Sequence, residues 1–243
     1  MKLFAIGDPH LSLARPKPMD IFGANWEHHF ERIQQAWQQQ VGAEDLVLVP
    51  GDISWAMQLA DAKMDLDALG ALPGNKLILR GNHDYWWSSL SKVRSILPQG
   101  MQALQNDAFR YGRFVIAGTR LWACPGAPWF DPKEDLKIYQ REIGRLELSL
   151  KAAQRIRNAD DALVVMLHYP PFNEKREKNE VTALLQEYAA SALIYGHLHG
   201  KSIKYAFEGK WEDCQIHLVS ADHLQFVPKL LGENGQLSES GKK

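Results

Sequence analysis

Cysteine is nearly absent: the 243-residue chain has two, Cys124 and Cys214. They stand far apart, in no metal-ligating or redox spacing, and a secreted disulfide framework would need more of them. Long hydrophobic runs are also missing. Nothing approaches the ~18 apolar residues of a transmembrane helix, so no membrane span is expected. The first apolar run, Leu3–Ile6, stops at Gly7-Asp8, well short of a signal-peptide core. A cytoplasmic location follows as an expectation. Neither sign of charge prevails, since Lys+Arg 28 against Asp+Glu 29 leaves a net charge of −1. Such a chain has no overall pull toward nucleic acid or an anionic membrane, although a local basic patch stays open. Gly 18 and Pro 12 are ordinary, which excludes collagenous and disordered chains.

What is present is a sequence of average globular composition, 45% apolar and 23% charged. No internal repeat, low-complexity tract or linker interrupts it, so one domain over 1–243 is expected. Short apolar runs alternate with periodic segments. The spacing predicts helices carrying Trp26, Phe30, Ile33 and Trp37, then over about 61–69, 88–97 and 181–190. Asp131-Pro132-Lys133-Glu134 reads as a capping box with Pro at the first helical position. It opens the clearest helix, on which Leu136, Tyr139, Ile143, Leu146, Leu150 and Ala153 repeat at helical spacing. Residues 203–207, 215–219 and 223–231 read as β-runs, and 232–243 as a frayed, flexible tail. The βαβα order of the first half and the β-rich last third suggest a layered α/β sandwich with helices outside.

One pattern recurs five times: a strand-like run ends and ligand-type residues follow at once. They are Asp8-Pro9-His10, Gly51-Asp52, Gly81-Asn82-His83-Asp84, His168 and Gly196-His197-Leu198-His199. In α/β sheets ligands bind beyond the carboxyl ends of strands, so neighbouring strands would gather all five at one edge. Asp8 and Asp52 offer carboxylate oxygen, Asn82 an amide oxygen, and His10, His168, His197 and His199 imidazole nitrogen. Residues i and i+2 of an extended chain share a side, which would pair Asp8 with His10 and His197 with His199. Seven donors are too many for one tetrahedral ion and suit two ions with a bridging carboxylate. Imidazoles without thiolates favour borderline divalent metals, Mn, Fe, Zn or Co, over Ca. Two divalent ions, two carboxylates and a hydroxide leave a positive pocket that attracts a phosphoester.

These motifs, in this order, closely resemble those of the calcineurin-like metallophosphoesterases, over Leu3 to about Leu231. The resemblance implies a four-layer α/β/β/α sandwich with two mixed β-sheets and a two-metal site, Mn and Fe being ahead of Zn and Co. It implies that Asp8, His10, Asp52 and His199 hold one ion, and Asp52, Asn82, His168 and His197 the other, with Asp52 bridging. It implies in-line attack on phosphorus by a metal-bridging hydroxide, with His83 as the acid for the leaving oxygen and Asp84 orienting His83. The expected activity is hydrolysis of phosphomonoesters or phosphodiesters, with a small-molecule phosphoester as partner. A metal-dependent nuclease is a second reading, disfavoured by the neutral charge. A scaffold that keeps the fold without the chemistry is a third. The oligomeric state stays open.

Blander readings compete for several residues. His28, His29, His217 and His223 lie outside the motifs and read as ordinary core or surface histidines. Arg80 either approaches the substrate or forms a surface ion pair. Gly196–Ser202 imitates a phosphate-binding P-loop, but with one residue too few between its glycines and a β-like run where a helix is needed. Trp26, Trp55, Trp86, Trp87, Trp122 and Trp129 flank the strand ends, and packing under the loops is favoured over an aromatic substrate wall. Residues 119–157 could form a cap beside the site. The run 173–179 reads as a solvated loop, with Lys175 or Arg176 reaching a second phosphate as the minority view.

Overall fold

The computed structural model describes residues 1–238. The chain begins with β1 (Lys2–Ala5), α1 (His29–Gln40), β2 (Leu46–Val49), α2 (Leu59–Gly70), β3 (Asn75–Ile78), α3 (Leu90–Arg94) and β4 (Met101–Ala103). It continues through β5 (Ala108–Tyr111), β6 (Phe114–Thr119), α4 (Asp135–Ile156), β7 (Ala162–Leu167), α5 (Glu180–Glu187) and β8 (Ala192–Tyr195). It closes with β9 (Gly209–Trp211), β10 (Cys214–Leu218), β11 (Lys229–Glu233) and β12 (Gln236–Leu237). Two six-stranded sheets result, ordered β12-β11-β1-β2-β3-β4 and β5-β6-β7-β8-β10-β9. In the first, β1 to β4 run parallel; in the second, β6, β7, β8 and β10 do; antiparallel strands close the edges.

The period-2 alternation of each strand explains the layers. Leu3 and Ala5 of β1, Leu46 and Leu48 of β2, and Ile116 of β6 with Met166 of β7 fill the space between the sheets. The intervening residues turn outward. Phe4, Val47 and Val49 pack with Ile33 and Trp37 of α1 and Leu66 of α2. Val115, Val165 and Leu193 pack with Leu146 and Leu150 of α4 and Val181 of α5. Strands covered on both faces must be apolar at nearly every position, and that is why they read as short unbroken runs. Each fully buried Leu or Val contributes ~1.5–3 kcal/mol. The four-layer α/β/β/α sandwich is present as the resemblance implies.

Several local expectations change. The 203–207 run is not a strand: a 3-10 helix covers Gly200–Tyr205. Ser202 turns the chain, donating to His199 O at 2.7 Å while accepting from His199 N at 2.8 Å. Residues 223–227 form turns, with Gln225 and Phe226 at positive φ, and the strand begins only at Lys229. Helix α4 begins at Asp135, after the expected box. Asp131 still accepts from Lys133 N, but its own N–H donates to Asp135 Oδ2 rather than to Glu134. Far from capping the site, α4 is a layer of the sandwich, laid along β6 with Tyr139, Leu146 and Leu150 fully buried. The expected tail is ordered through its first half, because β11 continues to Glu233 and pairs with β12. Its last residues, 239–243, lie outside the described residues.

Lys76, in β3, is a buried cation facing the end of α2. Its Nζ donates to the carbonyls of Gly70, Leu72 and Gly74, acceptors that a helix end leaves without partners. Lys76→Met should keep the aliphatic packing and strip these bonds. The expected loss in urea unfolding is about 2–3 kcal/mol. A loss below ~0.5 kcal/mol would show that water satisfies the three carbonyls instead.

Candidate metal centre

Parallel strands deliver their carboxyl ends to one rim, and the two sheets are stitched together there. Gly7 N donates to Val219 O at 2.6 Å and Ala221 N to Gly7 O at 3.0 Å. The loop after β1 then runs along the loop after β2, with Asp8 N on Gly51 O and His10 N on Asp52 O. Asp8, His10, Asp52 and His197 all sit at positive φ, between 45° and 72°. Non-glycine residues seldom adopt that region, and clusters of such strain mark functional sites. The side chains therefore converge through left-handed kinks, not through the extended i, i+2 geometry expected from the sequence. Two glycines are required by close approach. A Cβ on Gly81 would overlap the backbone and carboxylate of Asp52, and one on Gly196 would overlap the carboxylate of Asp8.

All seven expected donors meet in one buried cluster. Asp8, His10 and His199 form one compact group, and Asp8, Asp52 and His168 another, with ligand atoms within 4.8 Å of one another in each. The Asp52 carboxylate spans both halves: Oδ2 lies 3.7 Å from His10 Nε2 and Oδ1 lies 3.6 Å from His168 Nε2. Asp8 Oδ1 stands 3.6 Å from both His168 Nδ1 and His199 Nε2. Asn82 Oδ1 faces His168 Nε2 at 2.6 Å and His197 Nδ1 at 2.9 Å. Rings back two of the imidazoles, Trp55 on His10 at 4.8 Å and Tyr169 on His197 at 4.1 Å.

The donors suit cations. His168 Nδ1 points at the carbonyl of Pro50, 2.9 Å away, so in the neutral ring that nitrogen carries the proton. Burial lowers the pKa of His168 and favours the neutral ring. Its bare Nε2 then confronts Asn82 Oδ1 and Asp52 Oδ1, lone pair against lone pair, an arrangement that a positive ion between them relieves. His199 is oriented in the same way, but by a carboxylate. Nδ1 bonds Asp222 Oδ1 at 2.9 Å, and Nε2 is buried with no hydrogen-bond partner. Burial works against a charge on His199, but Asp8 and Asp222 outweigh it and hold its pKa up to about 10. Burial and then the Asp8 carboxylate push Asp52 up to about 8. Two carboxylates buried side by side call for more positive charge than one imidazolium supplies.

His83, the expected acid, and Asp84, its expected partner, share no hydrogen bond among the described residues. Asp84 spends Oδ1 on Ile53 N, Ser54 N and Trp86 Nε1, and Oδ2 on Gly81 N. His83 Nδ1 has no partner, and burial with the neighbouring His168 lowers its pKa to about 4. Asp84 therefore ties together the loops that carry Asp52 and Asn82 and does not orient His83. Asp222 belongs to no motif and stands between the two runs, 215–219 and 223–231, that read as strands, yet it holds His199 and also accepts from Gly200 N at 2.8 Å.

The remaining readings sort by burial. Trp26, Trp86 and Trp87 are packed beneath the loops, whereas Trp129 is exposed. The guanidinium of Arg120 lies over Trp122. Arg80 makes no ion pair among the described residues, and its buried Nε has no partner. Arg176 covers Phe207. Asn173 folds the charged run on itself, accepting from Lys175 N and Glu177 N. His29 bonds Pro9 O at 3.0 Å and so braces the Asp8–His10 loop.

Comparison with known proteins bears on this rim. The phosphopantetheinyl hydrolase PptH from Mycobacterium tuberculosis superposes with a TM-score of 0.50 at 14% identity, covering 90% of this chain and 88% of that one, and shares the fold. A protein of unknown function, AQ665 from Aquifex aeolicus, covers 94% of this chain and 95% of its own at 16% identity and a TM-score of 0.49. The Gene 66 protein of Mycobacterium phage D29 is 42% identical over 59 residues, which span 23% of this chain and only 28% of that protein. The family model of the calcineurin-like phosphoesterases matches residues 1–201, a stretch running from β1 through His199. No helix among the described residues is long and apolar enough to cross a membrane. Because that match takes in most of the chain and every loop of the donor cluster, the chain belongs to the calcineurin-like phosphoesterases.

Proposed function

We propose that the chain hydrolyses phosphomonoesters or phosphodiesters of small molecules at a two-metal centre. The observation that carries this reading is the convergence of His168 Nε2, Asn82 Oδ1 and Asp52 Oδ1, three acceptors with no proton to share. On this reading Asp8, His10, Asp52 and His199 hold one ion, and Asp52, Asn82, His168 and His197 hold the other. Four imidazoles suit Mn, Fe, Zn or Co, with Mn and Fe ahead. When bound, two such ions supply Lewis acidity and activate water for in-line attack.

The protein's own groups do the rest. Asp222 holds the Nδ1–H of His199 and turns Nε2 into the cluster. Pro50 O does the same for His168. His83 lines the cavity beside Asp52 and His197, where its imidazole can protonate the departing oxygen. With Asp84 engaged elsewhere, the anionic oxygens of the substrate must keep that proton on His83.

The test joins metal analysis to a leaving-group series. Protein as purified should contain metal, lose turnover on chelation and regain it with Mn or Fe. His83→Ala should slow hydrolysis of alkyl phosphates by about 10²–10⁴-fold. 4-Nitrophenyl phosphate should suffer far less, because its leaving group departs without a proton. No bound metal and no turnover with Mn, Fe, Zn or Co would defeat the reading. Salt-dependent cleavage of DNA in the same screen would favour a nuclease.

A further inference from the structure

The cavity above the donor cluster, about 250 Å³, has two chemically different sides. Its floor is Asp52 with His10, His83, His197 and His199, while Met19, Phe22 and Trp55 form much of the wall. Phe22 is 49% exposed, an unusual state for a phenylalanine held in a short, fixed turn. That turn is anchored. Trp55 Nε1 points at Met19 Sδ at 3.1 Å, and Phe22 N donates to Met19 O at 3.0 Å. On its other side, the Phe22 carbonyl lies 3.7 Å from where a Cβ on Gly200 would stand, so the turn packs beside the loop after His199, and Phe22 lines the cavity with His10 and His199. His83 is 4.5 Å from the Trp55 ring, so the apolar wall stands next to the group that faces the departing oxygen. Lys17 Nζ sits 3.2 Å over the same ring, a cation on the side of the adjoining groove. Met19 is also shared with a larger adjoining groove of about 510 Å³ that includes Leu11, Leu13 and Phe30.

We propose that this wall is a binding subsite for the alcohol half of the substrate, and that this half is a bulky aromatic group. The assignment rests on the phosphoesterase reading above, since it is the departing oxygen at His83 that brings the group to Trp55, Met19 and Phe22. The faces of Trp55 are taken by His10 and Lys17, so the Phe22 ring and the Met19 thioether are the groups that can contact a flat π-face at van der Waals distance, and they offer a small polar alcohol little. Phe22 and Met19 are the specificity-determining residues, and Lys17 draws the anionic ester to the opening.

Two measurements on the full chain test it. Calorimetry with metal-loaded protein should show 1-naphthylmethylphosphonate binding at least about tenfold tighter than methylphosphonate. Phe22→Ser, an exposed substitution, should reduce that ratio to about twofold, and Phe22→Tyr should restore it. In turnover, Phe22→Ser should lower kcat/KM for 1-naphthyl phosphate at least about fivefold more than for methyl phosphate. Equal binding of the two phosphonates by a protein that hydrolyses both esters would overturn the subsite and leave the phosphoesterase reading intact. Tighter binding of octylphosphonate than of the naphthyl compound would overturn the aromatic assignment. A Phe22-dependent naphthyl preference in a protein inert toward every phosphoester would support the subsite while the phosphoesterase reading failed.

Discussion

Asp52→Asn is expected to abolish phosphoester turnover while leaving a folded protein. The loss should exceed the roughly 10–100-fold that follows removal of an outer partner of a metal ligand, because Asp52 faces both halves of the cluster. One carboxylate oxygen serves His10 and the other His168, so the substitution withdraws charge from both ions at once. Folding gives the opposite sign. Asp52 is 2% exposed and Asp8 fully buried, two carboxylates sharing one water-poor cluster, and the metal-free fold gains nothing from their mutual repulsion. The metal-free variant should therefore melt no lower than the metal-free parent. What should vanish is the rise in Tm on adding Mn or Fe, which measures preferential binding to the folded state. Full metal content with turnover within tenfold of the parent would place Asp52 outside the centre.

The seven donors were legible because each follows a parallel strand, and strand carboxyl ends share an edge. Histidine and aspartate directly after Val49, Leu79 or Leu167 needed no further geometry to be singled out. The helices α1, α2 and α4 were legible from their apolar spacing, and most of their packing face with them, although Leu136 of the α4 stripe is exposed and Trp26 precedes α1. Groups whose role depends on a distant partner were not. Nothing near Asp222 in the chain announces His199, 23 positions earlier. Ile203–Phe207 has strand-like composition, yet two hydrogen bonds from Ser202 commit the backbone to a tighter helix. The wall formed by Met19 and Phe22 comes from a loop whose sequence, Arg-Pro-Lys-Pro-Met-Asp-Ile-Phe, has no periodicity to read. Asp84 stands out through its motif but its partners do not, since adjacency to His83 in sequence says nothing about which way a carboxylate turns, and this one turns to Ile53, Ser54, Gly81 and Trp86.

Asp84 carries the second large expected effect, and it separates two roles for that carboxylate. It is fully buried and accepts four N–H groups, three from backbone and one from Trp86. Asp84→Ala leaves all four donors without acceptors in a water-poor interior. The expected destabilisation is about 3–5 kcal/mol in urea unfolding. Asp84→Asn should lose less, because its amide oxygen keeps some of the donors while its NH₂ must face the others. The same bonds tie Ile53 and Ser54, just after Asp52, to Gly81, just before Asn82. Loosening them should weaken metal binding in both variants, more in Ala than in Asn. A carboxylate that oriented His83 would behave differently. Its loss would reproduce the leaving-group dependence of His83→Ala, with alkyl phosphates penalised and 4-nitrophenyl phosphate spared. With His83 Nδ1 free of any partner and Asp84 saturated by other donors, Asp84→Asn at saturating metal should instead slow both substrate types by the same factor. A selective loss on alkyl phosphates would return Asp84 to the acid and require a rearrangement of these loops when metal binds.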